Sequence, residues 1–202
     1  MDIFSFLAEN FDLPILRWIA SNLHSAFGDA VMPIVTLLGD AGIFWIAMAA
    51  ILLFIPKTRK IGLGMGAALL MGLLICNVTL KPLVARIRPY DYELQHFQTQ
   101  IPLLVEGLHD FSFPSGHTIA SFEAATVILL YNKKWGIAAM VLAALIAFSR
   151  LYLYVHYPTD VIASVILGIG IAVLADMIVR AVWSAIAKRR KKSVSTGEII
   201  DP

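Results

Sequence analysis

Three short motifs at the ends of apolar stretches contain most of the side chains that could do chemistry in this 202-residue chain. Charge inside or beside a long apolar run is costly, and it tends to mark a functional site. This set has the parts needed to hold a phosphate group, attack it and protonate the group that leaves. Its members are Lys81, Arg88, Pro114-Ser115-Gly116-His117, Arg150, His156 and Asp160.

The first motif supplies fixed positive charge. Lys81 ends an apolar run, Arg88-Pro89 follows seven residues later, and Arg86 lies between them. A basic residue at a helix end often extends toward lipid headgroups, so one alone is weak evidence for a site. Arginine, however, binds phosphate oxygens through two parallel hydrogen bonds, and lysine acts as a point charge. We therefore expect Lys81 and Arg88 to hold a phosphate.

The second motif, Pro114-Ser115-Gly116-His117, precedes a helix-like run that continues to Leu130. Proline suits the first turn of a helix, so the backbone N–H groups of Ser115 and Gly116 are predicted to be free for a phosphate. Gly116 would also let an oxyanion approach without a side chain in the way. Taken alone, the motif is equally compatible with a helix cap beside an incidental histidine.

The third motif combines a cation with an imidazole and a carboxylate. Arg150 closes an apolar run, and Asp160 follows His156 by four residues, near a proline that suits a helix start. At this spacing the carboxylate can accept the imidazole N–H. That bond would fix the tautomer and leave the other ring nitrogen free for attack. A simple capping interaction is the structural alternative.

The elements that must position these motifs are predicted to be membrane helices. The chain is 59% hydrophobic and only 15% charged, with a mean hydropathy of +0.79, far from a typical soluble domain. We predict one all-α integral-membrane domain over residues 1–187. Residues 1–30 are predicted to be an amphipathic helix at the interface, with a sixth span if residues 5–27 cross. The five predicted spans are residues 41–56, 61–80, 113–131, 135–153 and 158–182.

The distribution of basic residues predicts the orientation. Three basic segments fall on one side of the predicted bundle: residues 57–60, 133–134 and 188–192. Short basic loops face the cytoplasm, so the loop at 81–112 and the turn at 153–158 face outward with all three motifs. The tail at 188–202 is predicted to be cytoplasmic and disordered. After a membrane span, its charge indicates anionic lipid rather than nucleic acid.

The order and spacing of the three motifs resemble the signature of the type 2 phosphatidic acid phosphatase superfamily. Its membrane lipid phosphatases share an all-helical core with vanadium haloperoxidases. The signature runs from residue 81 to 160 without a departure at any defining position, whereas the first 30 residues are more polar than the first helix of six-span members. The matching elements are Lys81-x6-Arg88-Pro89, Pro114-Ser115-Gly116-His117 and Ser149-Arg150-x5-His156-x3-Asp160.

The resemblance implies a role for each matching residue. His156 would be the nucleophile that forms a phosphohistidine, and Asp160 would orient it. His117 would protonate the leaving oxygen and then activate water. No metal ion or other cofactor is implied. The residues that would hold the nonbridging oxygens are Lys81, Arg88, Ser115, Gly116 and Arg150.

We therefore expect a lipid phosphatase in the plasma membrane, acting at the outer face on a lipid phosphate or diphosphate. The substrate that we predict first is undecaprenyl diphosphate, cleaved to the monophosphate. The alternative substrates are phosphatidic acid, phosphatidylglycerol phosphate and a lipid A phosphate. A vanadate-dependent haloperoxidase is a rival, although those relatives are soluble. A non-catalytic lipid-binding or transport protein is another, although His117, His156 and Asp160 are intact. The oligomeric state, a homo-oligomer included, is left open.

Overall fold

The computed structural model describes residues 3–196, with side chains up to residue 189, and every regular element in this part is helical. A π-helical stretch, Ala8–Asp12, joins α1 to α2, a second, Leu73–Leu80, joins α5 to α6, and a 3-10 turn, Asp40–Gly42, precedes α4. The α-helices are α1 (Ile3–Leu7), α2 (Leu13–Asn22), α3 (Ala26–Leu37), α4 (Ile43–Phe54), α5 (Arg59–Gly72), α6 (Lys81–Val84), α7 (Pro89–Phe97), α8 (Gly116–Tyr131), α9 (Lys133–Tyr152) and α10 (Pro158–Thr196).

Three helical stretches of the described residues are long and apolar enough to cross a membrane. They are Arg59–Phe97, Lys133–Tyr152 and Pro158–Arg189. A fourth span results if Ala26–Leu37 and Asp40–Phe54, which meet at a 41° bend, are one broken span. The predicted number of five is not confirmed, because α8 has only 16 residues, fewer than the roughly 20 that a spanning helix needs.

Helix α8 lies at the centre of the bundle and packs against α5, α9 and α10, while α4 packs against α5. Helices α8 and α9 approach each other closely because residue 136 is a glycine: a Cβ on Gly136 would lie 2.2 Å from the Cα of Leu129. The buried side chains between these helices include Trp45, Met65 and Val127. This packing brings four helix ends together: the end of the α5–α6 segment, the start of α8, the end of α9 and the start of α10.

The N-terminal segment is bound to this end of the bundle. Leu13 and Leu16 are fully buried against Tyr92 and Tyr157. Arg17 adds two hydrogen bonds to Glu93, each of 2.8 Å. Residues 1–30 were predicted to be an amphipathic helix at the membrane interface. The apolar face of α2, which belongs to this segment, packs instead on the rest of the protein.

Two predicted irregular regions contain helix. Within the loop predicted at 81–112, α7 begins at Pro89, has Asp91 in its first turn, and ends at Phe97, followed by the C-cap residue Gln98, whose φ is 53°. Proline and an acidic residue both favour a helix start. At the other terminus, α10 continues to Thr196, so the disorder predicted from residue 188 is not seen there. No glycine or proline interrupts residues 171–196; residues 197–202 lie outside the described part.

Candidate active site

A cavity of about 770 Å³ opens where the four helix ends meet. It brings together six of the eight side chains or backbone positions predicted from the motifs. The other two, Ser115 and Asp160, are fully buried behind the lining. The six that line the cavity are Lys81, Arg88, Gly116, His117, Arg150 and His156.

His156 lies in the buried turn between α9 and α10, and its residue is only 1% exposed. Arg88 Nη1 is 3.4 Å from its Nε2 atom. A guanidinium can only donate hydrogen bonds, so Nε2 carries the lone pair and Nδ1 carries the hydrogen. This is the tautomer that leaves Nε2 available for attack on a phosphorus atom.

The charge state of His156 also suits a nucleophile. Burial lowers the pKa of the imidazole well below its usual value, and the positive charges of Arg88, Arg150 and Lys81 lower it further. The ring is therefore neutral at physiological pH. A protonated imidazole would have no lone pair to donate.

Asp160 lies behind the imidazole of His156 but is not hydrogen-bonded to it. The distance from His156 Nδ1 to Asp160 Oδ2 is 3.7 Å, longer than a hydrogen bond. Asp160 Oδ1 instead accepts a hydrogen bond of 2.6 Å from Arg86 Nη1. Its Oδ2 atom accepts one of 3.1 Å from the Tyr157 N–H. Asp160 is thus held in place by groups other than His156.

Arg88 uses all of its N–H groups within the protein. Its Nε donates to the Asp110 carbonyl at 2.9 Å and Nη1 donates to the Val155 carbonyl at 2.6 Å. Its Nη2 donates to the Asp110 carboxylate and, at 3.3 Å, to the Phe111 carbonyl. The remaining Nη1 hydrogen is the one directed at His156. A phosphate that binds Arg88 must therefore replace one of these acceptors.

Asp110 is the acceptor best placed for such an exchange. Its Oδ2 atom lies 2.5 Å from Lys81 Nζ, so one carboxylate bridges both predicted phosphate-binding cations. Burial would raise the pKa of Asp110, but hydrogen bonds from Lys81 and Arg88 outweigh it and lower the pKa to about 2. Asp110 therefore stays charged at neutral pH. The motifs gave no indication of this residue, which lies in the loop before α8.

Arg150 has a buried donor that no described residue satisfies. Its residue is 3% exposed, and Nη1 donates to Thr36 Oγ1 on α3. Its Nε atom is buried and has no hydrogen-bond partner among the described residues. A buried guanidinium N–H without an acceptor beside a cavity is the kind of group that an anion would satisfy.

His117 lies at the start of α8 with 17% of its side chain exposed. Its Nε2 atom is 4.0 Å from Asp40 Oδ1. Asp40, like Thr36, comes from the N-terminal third of the chain and was not predicted. The weak sequence signal for both is that they are polar residues within an otherwise apolar run, Asp40 directly after Gly39 and Thr36 three residues before it.

The backbone at the start of α8 differs from the prediction. The Ser115 N–H is not free, because it donates to Ser164 Oγ at 2.8 Å. Pro114 precedes the N-cap residue Ser115 and so lies outside the first turn. A Cβ on Gly116 would lie 3.1 Å from Asn77 Oδ1, so this glycine permits close packing on the π-helical stretch. Ser115 therefore lies behind the cavity lining.

Comparison with known proteins identifies close counterparts of this arrangement. The sequence pattern of the PAP2 superfamily matches residues 61–184. An undecaprenyl-diphosphatase of Sulfolobus acidocaldarius is 35% identical over 135 residues, which are 66% of this chain and 63% of that protein. A lipid A 4'-phosphatase of Bacteroides thetaiotaomicron is 33% identical over 159 residues, covering 73% of this chain and 68% of that protein.

Comparison with solved structures agrees with the comparison of sequences. The crystal structure of Aquifex aeolicus LpxE superposes with a TM-score of 0.70 at 26% identity, covering 83% of this chain and 96% of that one. The matched residues 61–184 are more than half of the chain and include all three motifs. The resemblance found in the motifs is thereby confirmed, and the chain belongs to the PAP2 superfamily.

Proposed function

We propose that the protein is a membrane lipid phosphatase that works without a metal ion, through a phosphohistidine at His156. The observation that carries this proposal is the placement of a neutral, buried imidazole in one cavity with Arg88 and Arg150, which are 2% and 3% exposed. Phosphoryl transfer depends mainly on positioning and on charge stabilisation, and fixed cations in a dry site supply both.

The reaction would take place in two displacements. In the first, His156 Nε2 forms a bond to phosphorus as the bond to the leaving oxygen breaks, and His117, which enters this step as an imidazolium after taking up a proton together with the anionic substrate, gives that oxygen its proton and becomes neutral. In the second, His117 removes a proton from water, whose oxygen bonds to phosphorus as the P–N bond breaks. Inorganic phosphate leaves and both imidazoles return to their starting states. Lys81, Arg88 and Arg150 would stabilise the charge on the nonbridging oxygens in both steps.

The shape of the cavity favours a lipid over a soluble phosphate. From the cationic end it continues between α4 and α5 along apolar side chains, so a headgroup and the first part of a chain fit together. A diphosphate on a polyprenyl chain is the preferred substrate, by analogy with the relative named undecaprenyl-diphosphatase. A lipid A phosphate is the alternative that the second relative suggests. The apolar lining includes Ile46, Ala49, Leu53, Leu69, Leu70 and Leu73.

A panel of lipid phosphates tests the proposal. The purified protein in detergent with EDTA should release phosphate from one or more of undecaprenyl diphosphate, phosphatidic acid, phosphatidylglycerol phosphate and lipid A. His156→Ala should lower kcat by at least about 1,000-fold, as expected when a nucleophile is removed, and should abolish acid-labile phosphate on the protein. His109→Ala, at an exposed loop histidine, is the matched control. A strict requirement for a divalent metal would refute the proposal, as would undiminished turnover by His156→Ala.

A further inference from the structure

We infer that Arg86 and Asp12 position the carboxylate of Asp160 behind His156, so that the N-terminal segment forms part of the catalytic apparatus. The inference rests on the proposed function, because it assigns Asp160 the task of supporting a nucleophilic imidazole. Asp12 lies well outside residues 61–184, the region that matches the superfamily. Neither Arg86 nor Asp12 received a role from the motifs.

Arg86 is buried in the protein behind the cavity. Its residue is 6% exposed, it is not among the cavity-lining side chains, and its guanidinium stacks 3.7 Å from the ring centre of Tyr157. One nitrogen, Nη1, donates to Asp160 Oδ1 at 2.6 Å, and the other, Nη2, donates to Asp12 Oδ2 at 2.7 Å. The flat guanidinium thus links two buried carboxylates in a fixed direction, which a lysine ammonium could not do equally well.

Asp12 fixes both Arg86 and the start of α10. It is fully buried, and besides Arg86 its Oδ2 accepts from Thr159 Oγ1 at 2.7 Å. Its Oδ1 accepts from the Thr159 N–H at 2.9 Å, one of the N–H groups in the first turn of α10. Asp160 is the next residue along this turn. Asp12 therefore constrains Asp160 twice, through the guanidinium and through the backbone of its neighbour.

This arrangement matters because His156 faces positive charge on its cavity side. Lys81, Arg88 and Arg150 all act on the imidazole from there, whereas Asp160 approaches it from behind. When Nε2 forms a bond to phosphorus, the imidazole becomes positive, and a nearby carboxylate stabilises it. The gap of 3.7 Å to Nδ1 must then close by several tenths of an ångström to form a hydrogen bond. The position of Arg86 decides where Asp160 lies when this happens.

Asp12→Asn is the most informative variant because it keeps the size of the side chain. We expect kcat for phosphate release to fall about 10- to 100-fold, the range that follows loss of one buried hydrogen bond to a charged group. KM for the lipid should not change, since Asp12 and Arg86 do not line the cavity. Glu9→Gln is the control: it lies on the same N-terminal segment and accepts from Tyr92 Oη at 2.8 Å, away from Asp160.

A double-mutant cycle separates positioning from a purely structural role. If Asp12 acts through Arg86 and Asp160, Asp12→Asn should lower kcat little further in an Asp160→Asn background. Thermal unfolding of each variant gives the folded fraction used to correct kcat. Arg86→Lys, which keeps the charge, should retain more activity than Arg86→Met. If either Arg86 variant fails to fold, the two aspartate variants still complete the cycle.

Three results would overturn the inference while leaving the proposed function intact: unchanged kcat in folded Asp12→Asn, a rise in KM without a fall in kcat, or fully multiplicative effects in the cycle. Absence of phosphate release by the unmodified protein would instead refute the proposed function.

Discussion

At the residue scale, Asp110 decides how accessible the cation pair is to a phosphate. Its carboxylate bridges Lys81 and Arg88, and it is charged at neutral pH because those two groups lower its pKa to about 2. An incoming phosphate must therefore displace an anion that is already in place. About half of the Asp110 side chain, 53%, is exposed, so the exchange is with a partly solvated ion pair and costs little.

Asp110→Asn removes this competing charge. We predict that the inhibition constant for inorganic phosphate falls about 2- to 5-fold, the value of a partly exposed ion pair. Asn can still accept from Arg88, and the backbone carbonyl of residue 110 continues to hold Nε. Competitive inhibition of lipid hydrolysis measures the constant. Weaker phosphate binding in the variant would show that Asp110 organises the two cations rather than competing for them.

The pH dependence of phosphoenzyme formation tests the state of His156. An ordinary histidine has a pKa near 6.5, but burial and the surrounding cations lower the pKa of His156 well below that value. The neutral, nucleophilic form thus persists as the pH falls through 6.5. The unfolded chain binds a proton there that the folded protein does not, so this group reduces the free energy of unfolding at acid pH.

With an aryl phosphate, whose leaving group departs as a phenolate and needs no proton, we predict that the burst of phenolate keeps its rate constant from pH 7.5 to about pH 6. Stopped-flow absorbance measures this burst. The choice of substrate removes His117 from the first step. A midpoint close to 6.5 would contradict the depressed pKa and would mean that water reaches the imidazole.

Motif spacing predicted all three cations and both imidazoles that line the cavity, but it could not predict their partners. Lys81, Arg88 and Arg150 were identified because each belongs to a motif whose order and spacing match the other two, since a cation at the end of an apolar run is weak evidence by itself. Asp12 looked like part of the polar face of an interfacial helix, yet it is fully buried on Arg86. Such pairs join residues more than 70 positions apart, and only the packing of the helices brings them together.

At the element scale, the bend between α3 and α4 packs against His117, the proposed general acid. Gly39 lies at this bend, and a Cβ there would be 2.7 Å from Ile146 Cγ2 and 2.8 Å from His117 Cδ2. Its φ is −98°, an angle open to any residue, so close packing and not backbone conformation requires the glycine. The N-terminal part of the chain thus meets the site in two places: Gly39 packs on His117, and Asp12 binds Arg86 and Thr159 behind His156.

Gly39→Ala should displace the His117 ring. We predict a fall in kcat of about 10-fold, since full loss of general acid catalysis costs about 100- to 10,000-fold and the ring can partly adjust. Steady-state hydrolysis of the lipid measures this effect. Gly170→Ala is the control, because a Cβ at Gly170 has no heavy atom within 4 Å in the described part of the chain. Equal activity of the two variants would show that α3 does not constrain His117.

The elements themselves were predictable where hydropathy alone decides them. For α9 and α10, the helix ends that lie near the cavity were predicted to within a few residues. Helix α7 was not, because its helix-forming signals, Pro89 and Asp91, lie in a polar stretch without apolar periodicity. Gly39-Asp40 visibly interrupts an apolar run of the sequence, but the packing of Gly39 on His117 depends on contacts with α8 and α9.

At the scale of the whole molecule, charge is arranged differently at the two ends of the bundle. At the end that carries the cavity, several cations are paired with carboxylates: Arg17 with Glu93, Lys81 with Asp110, and Arg86 with Asp12 and Asp160. The opposite end carries exposed basic residues, among them Lys57, Arg59, Lys133 and Lys134. Unpaired loop cations tend to stay in the cytoplasm, so we propose that the cavity faces the outside.

Cysteine labelling tests this orientation with little background, because the only cysteine in the sequence, Cys76, is buried. We predict that Gln100→Cys, at an exposed position in the loop at the cavity end, reacts with a membrane-impermeant maleimide in intact spheroplasts. Lys134→Cys, at an exposed position of the opposite end, should react only after the membrane is permeabilised. The reverse pattern would place the cavity in the cytoplasm, where a lipid phosphate of the inner leaflet would be its substrate. Retained lipid hydrolysis by both variants ensures that the labelled protein is correctly folded.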